Sequence, residues 1–186
     1  KLPLLSVIDW LRDLANEQAR KLQILGVAVG VGLGTYTGIL LQTLVARPFW
    51  STGLLGPLFL SSGIAGAAAL FLLFGPLVES RQLLVRWVLG ALLLEATLMT
   101  LFFIAKSGGL AIDRAASLLV LAGPFTGSFV SLEVFAGILA PLLMMGYALH
   151  KDLSPGRLAP VLVLIGGISL RFLMVSVGQL SNFNLL

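Results

Sequence analysis

Between Leu22 and Ala46 the chain reads LQILGVAVGVGLGTYTGILLQTLVA, a run without one charged residue, and it stops at Arg47-Pro48-Phe49-Trp50. Its length decides the fold, because crossing roughly 30 Å of hydrocarbon takes about 20 helical residues. Four more apolar runs are of similar length, three of them with a single charged residue: Leu54 to Phe74, Trp87 to Ala105, Phe125 to Tyr147, and Leu158 to Val177. Strand-like alternation of the kind a barrel needs is absent from all five. The expected class is all-α, a polytopic bundle of five membrane helices.

Composition agrees. Of 186 residues, 58% are hydrophobic and 11% charged, too few polar side chains to coat a soluble globule, and the mean hydropathy is +1.05. The net charge of +4 carries no nucleic-acid signal, because the basic residues gather at the ends of the apolar runs, where they anchor and orient a membrane chain. With no cysteine, disulfides and thiolate-held iron–sulfur clusters are excluded within this chain. A single histidine, His150, excludes a bis-histidine haem. A redox cofactor held here is therefore organic or shared with another chain. The chain begins at Lys1 without an initiator methionine, as a processed product or a fragment does.

Ahead of the first run, Leu4, Val7, Ile8, Leu11 and Leu14 share one helical face, and Asp9, Arg12, Asp13, Asn16, Glu17 and Arg20 cover the other. Residues 1–21 read as an amphipathic helix, either lying in the membrane interface or packed on polypeptide outside this chain; residues 22–186 form the bundle. Lys1, Arg12, Arg20, Lys21, Arg81, Arg86, Lys151 and Arg157 fall on one side, and Arg47, Lys106 and Arg114 on the other. The excess places the N-terminus in the cytoplasm and the C-terminus outside. A short apolar segment, Ala115 to Ala122, closed by Gly123-Pro124, is too short to cross and reads as an interfacial or re-entrant helix on the outer side.

Within the opening stretch Gly26, Gly30, Gly34 and Gly38 make a ridge with a four-residue period, along which another helix can approach closely. Tyr36, about 200° around the helix from Gly34, points away from that ridge. Ser62, Gly63, Gly66 and Ala67 slim the second span in the same way.

Three ionisable residues fall inside spans: Glu95, Glu133 and Arg171. Such groups cost roughly 2.5 to 3.5 kcal/mol at a helix centre on insertion scales, so each needs a partner or water. A rise of about 1.5 Å per residue puts them roughly 10 to 15 Å below the outer ends of their helices, so all three can meet. Glu133 and Arg171, on consecutive antiparallel spans, are expected to pair, as a static buried ion pair or as part of a proton-transfer site. Glu95 lacks an obvious partner and reads as a protonated or wet proton-relay group.

The segments YTGILLQTLVARPFW, GPLFLSSGIAGAAAL, SLEVFAGILAPLLMM and SLRFLMVSVGQLS, in that order and spacing, are similar to the later helices of the polysulfide reductase membrane subunit (NrfD) family. The resemblance covers roughly Leu22 to Ser181. It implies a haem-free membrane subunit of a respiratory oxidoreductase in a bacterial or archaeal cytoplasmic membrane. Such a subunit exchanges electrons between menaquinone or ubiquinone and an iron–sulfur subunit, which serves a molybdopterin catalytic subunit. Family members have eight or more helices, so further membrane helices are implied as partners beside the lipid bilayer. Tyr36, in the YTG segment, resembles a tyrosine that contacts a quinone carbonyl; the alternative is a tyrosine bonded to a neighbouring helix. Glu133 and Arg171 match a glutamate and an arginine of the family, with proton translocation or a structural pair as their roles. A passive membrane anchor and, with less support, a transporter fragment are the competing readings.

Overall fold

The computed structural model of the chain describes residues 18–44, 46–75, 81–153 and 156–181. The expected amphipathic helix lies, up to residue 17, outside the described residues. Five helices among those described are long and apolar enough to cross a membrane: α1 (Ala19–Gln42), α2 (Leu55–Phe74), α3 (Arg81–Gly108), α5 (Thr126–His150) and α6 (Leu158–Leu180). A shorter helix, α4 (Ala111–Leu121), joins α3 to α5. Each span contains the core of an expected run. Together with family membership, reported below, these helices make the chain a multi-pass membrane protein.

Apolar sequence becomes helix here because hydrocarbon offers no partner for backbone N–H and C=O, so each segment must satisfy its own. Polar groups then collect at the turns. Between α1 and α2 the 3₁₀ turn Pro48–Trp50 is buried and not a loose loop. The Trp50 indole N–H donates to the Met174 carbonyl at 2.8 Å, and Arg47 donates to the carbonyls of Gln179 and Ser181 at the end of α6. At the opposite end the Gln82 amide reaches Asp152 at 3.4 Å, closing α3 against the turn after α5.

Helix α2 is the centre of the bundle, packed against α1, α3 and α6, while α5 packs mainly on α6. Two dry layers result. Toward the Trp50 end, Phe49, Leu55, Phe59, Phe102 and Val177 form one core, with edge-on aromatic contacts running Phe49–Phe102–Phe103–Phe129. Toward the Asp152 end, Ala65, Ala69, Leu72, Val88 and Met145 form the other.

Helix α5 departs from the expected uniform helix. From Phe129 to Leu139 it is π-helical, and only Ala140–His150 returns to the α pattern. Pro141 gives the physical reason on one side: it has no N–H to offer Gly137, and its ring crowds that carbonyl. Wide π turns are rare and recur at functional sites. On its packed side the π segment comes against α6 glycine to glycine, since a Cβ added at Gly137 would stand 2.7 Å from Gly166 Cα.

The glycine ridge of α1 is used over only half its length. A Cβ at Gly38 would overlap the Gly56 backbone and one at Gly34 would strike Leu60, whereas Gly26 and Gly30 have nothing within 4 Å. Alanine at Gly38 or Gly166 is therefore expected to destabilise the bundle by about 1 to 3 kcal/mol, the usual cost of overpacking, while Gly30→Ala leaves it unchanged within this unit. Thermal unfolding of the purified protein in detergent checks this, and equal midpoints for Gly30→Ala and Gly166→Ala would contradict it.

Candidate functional site

Between the two dry layers lies a polar one. On α2 the sequence passes from Phe59 in the first core to Ala65 in the second through Ser61 and Ser62. On α3 it passes back from Leu92 to Met99 through Glu95. Glu95 is 3% exposed and Glu133 1% exposed. Glu95 stands near the midpoint of the 28-residue α3, about 20 Å from either end at 1.5 Å per residue.

The Ser62 hydroxyl hydrogen-bonds to Glu95. That bond corrects the expectation that Glu95 is without a partner in this chain; Ser62 was legible only as a small residue that thins its helix. Glu133 projects from the π-helical part of α5, and its Oε2 is buried with no hydrogen-bond partner. A buried, unbonded carboxyl oxygen is expensive, at about 1 to 3 kcal/mol or more when charged, and it leaves an acceptor open for a proton or water.

Arg171 is near both acids, within electrostatic reach of Glu95 and of Glu133. The structure therefore brings the three sequence-selected charges together. It does not make the expected direct Glu133–Arg171 ion pair: among the described residues the salt bridge is Lys106–Asp113. The cause is side-chain direction. Helical side chains lean toward their own N-terminus, and Arg171 follows, with Nη1 donating to the Gly167 carbonyl at 2.8 Å and to Ser62 Oγ at 3.4 Å. Its Nη2 donates to the Phe59 carbonyl at 3.4 Å, and the guanidinium carbon stands 5.8 Å from the Phe59 ring centroid. Ser62 thus contacts a cation and a carboxylate and links α2, α3 and α6.

Tyr36 is not in this cluster. It is 59% exposed on the face of α1 turned away from α2, whereas the cluster is built from α2, α3, α5 and α6. A cleft of about 560 Å³ opens elsewhere, between α3 and α5, walled by Ala96, Phe103, Val134 and Ile138 with Thr100 and Ser107 as its hydroxyls. Its wall residues Ala96 and Val134 follow Glu95 and Glu133 in sequence, but neither acid lines it.

A second polar group escaped the sequence reading. Lys106, counted from the sequence only among the basic residues on the outer side, is 4% exposed. Its ammonium donates to the carbonyls of Pro48 and Ser51 and pairs with Asp113 at 3.0 Å. The seven-residue interval from Lys106 to Asp113, with two glycines between, is the only trace it leaves in sequence.

The family model for polysulphide reductase, NrfD, matches residues 1–182. The chain belongs to the NrfD family. Protein NrfD of Escherichia coli is 28% identical over 193 residues, covering 97% of this chain and 59% of that protein. The C subunit of polysulfide reductase from Wolinella succinogenes is 30% identical over 186 residues, covering 91% of this chain and 57% of that subunit. The present sequence thus spans somewhat under three-fifths of the relatives it matches. No solved structure matches.

Proposed function

We propose that this chain is the later-helix portion of a haem-free, quinone-reactive membrane subunit. In this reading it works with an iron–sulfur electron-transfer subunit and a molybdopterin catalytic subunit. The observation that carries it is the buried acidic pair, Glu95 and Glu133, one bonded to Ser62 and the other with an open oxygen. Oxidation of a quinol releases two electrons and two protons. The partner's cluster would take the electrons, and the protons need acceptors inside the membrane. Carboxyls with a free lone pair suit that task; static packing has no use for one. Reduction of a quinone runs the same balance in reverse.

Tyr36 is the proposed quinone contact. A neutral phenol donates to a carbonyl oxygen without adding charge in lipid, and its exposure on α1 fits a headgroup held between this unit and further helices. Tyr36→Phe is expected to lower quinol turnover by up to roughly tenfold, the worth of a hydrogen bond of about 0.5 to 1.5 kcal/mol, with assembly intact. Turnover with a quinol analogue, normalised to assembled subunit in membranes holding the whole complex, is the measurement. Unchanged kinetics would favour a passive anchor, the reading for which the unpartnered exposure of Tyr36 also speaks.

The proposed orientation has the Trp50 end outside. A cysteine at Leu110, in the α3–α4 turn, is expected to react with an impermeant thiol reagent applied to intact cells, and a cysteine at Lys151 only after permeabilisation. The reverse pattern would invert the topology.

A further inference from the structure

Helix α6 presents an outward stripe of Ile165, Ile168 and Phe172, the pattern of a face made for hydrocarbon, and Arg171 stands exposed within it. The cation is nine positions from Leu180, the nearer end of its helix, or about 14 Å at 1.5 Å per residue. A lone arginine at that depth escapes its cost by snorkelling to the nearer interface. Arg171 does the opposite. Its bond to the Gly167 carbonyl turns the guanidinium toward the middle of the membrane, where it lies over Gly63 of α2, 3.7 Å from where a Cβ there would stand.

Gly63 is three residues from Leu60, the contact of Gly34 on α1, so the guanidinium reaches into the groove between α1 and α6. That groove is open, since α1 parts from α2 before Gly30 and Gly26. The guanidinium bonds a hydroxyl and two carbonyls but no carboxylate, and its Nε donates to none of the described residues. From the exposed cation, its inward direction and the open groove, we infer that a further membrane-spanning helix of the same assembly occupies this groove. That helix presents an Asp or Glu side chain to Arg171 at mid-depth. Glu95 and Glu133 lie within electrostatic reach of the guanidinium without bonding it, and charge complementarity selects this occupant: an apolar helix or an acyl chain would leave the cation's outward donors facing hydrocarbon, whereas a carboxylate takes them. Gly63 and Gly167 make room for the guanidinium itself, since a Cβ at either would stand 3.7 or 3.4 Å from its nitrogens. The inference stands whether or not quinone is the substrate.

The test places a photoactivatable benzoylphenylalanine at Ile168 or Phe172 of the full protein in its native membrane and identifies the adducts by mass spectrometry. The expected adduct is a peptide from another membrane-spanning segment of the assembly, with an acidic residue within about a turn of the cross-linked position. Adducts with lipid alone, with a second copy of α6, or with a segment lacking an acid would each overturn the inference. In the second arm Arg171→Glu is expected to cut assembled complex by about tenfold or more, as reversal of a buried pair should. Changing the partner acid to Lys is expected to restore it. A swap that restores nothing would refute the pairing even where the cross-link forms. Both arms read assembly, so loss of quinone activity leaves them interpretable.

Discussion

Glu133→Gln is expected to assemble normally and to lose quinol-linked turnover by about a hundredfold or more, the usual worth of a positioned proton-transfer group. The argument rests on what the substitution preserves. Glutamine keeps the shape that fits against α6 and keeps an oxygen acceptor, but it cannot take up and release a proton. The residue is 1% exposed, so no neighbouring surface carboxylate can take over its place, and its Oε2 has no bond whose loss would confuse the result. Glu95→Gln is a useful comparison, because an amide oxygen still accepts from the Ser62 hydroxyl and local structure is kept. If the acids act as a pair, both variants lose turnover. If Glu133 alone exchanges protons, the Glu95 variant retains most of it. Steady-state turnover per assembled complex separates the cases, and a Glu133→Gln complex of unaltered rate would reduce the acid to a structural residue.

How much of this site was legible beforehand varies with the kind of interaction. Span positions follow from length and hydropathy, so α1, α2 and α6 begin or end within a few residues of the apolar runs. Meeting of Glu95, Glu133 and Arg171 followed from depth, a one-dimensional quantity available from counting. Which atoms bond depends on rotation and side-chain direction. The Glu133–Arg171 pair failed on that ground, for the lean toward the helix N-terminus takes Arg171 onto Gly167. The π-helical stretch was hidden for another reason: it changes the hydrogen-bond register of residues whose apolar composition is that of any membrane helix, with Pro141 as the sole hint. Tyr36 was correctly read as facing away from the glycine ridge, but depth counting could not say that the ridge is filled only at Gly34 and Gly38.

Replacing Lys106 with Met is expected to cost about 3 to 5 kcal/mol, the range for removing one partner of a buried ion pair. The ammonium has three N–H donors and three acceptors: the carbonyls of Pro48 and Ser51 and the carboxylate of Asp113. These acceptors belong to the turn between α1 and α2 and to the first turn of α4, while the lysine closes the last turn of α3. One cation therefore ties three parts of the Trp50 end. Methionine fills the volume and leaves all three acceptors without their donor. Asp113 recovers some hydration, since its side chain is 22% exposed, but Lys106 at 5% shows that the carbonyl side is dry. Asp113→Asn is expected to cost about 1 kcal/mol, because the amide oxygen still accepts and only the charge assistance is lost. Loosening should spread to Trp50, whose indole bond to Met174 depends on the same turn. The check is thermal unfolding in detergent, followed by tryptophan fluorescence, with Lys151→Met as the exposed-lysine control. A Lys106→Met midpoint matching that control would show that the ammonium merely occupies its cage of carbonyls and does not hold it.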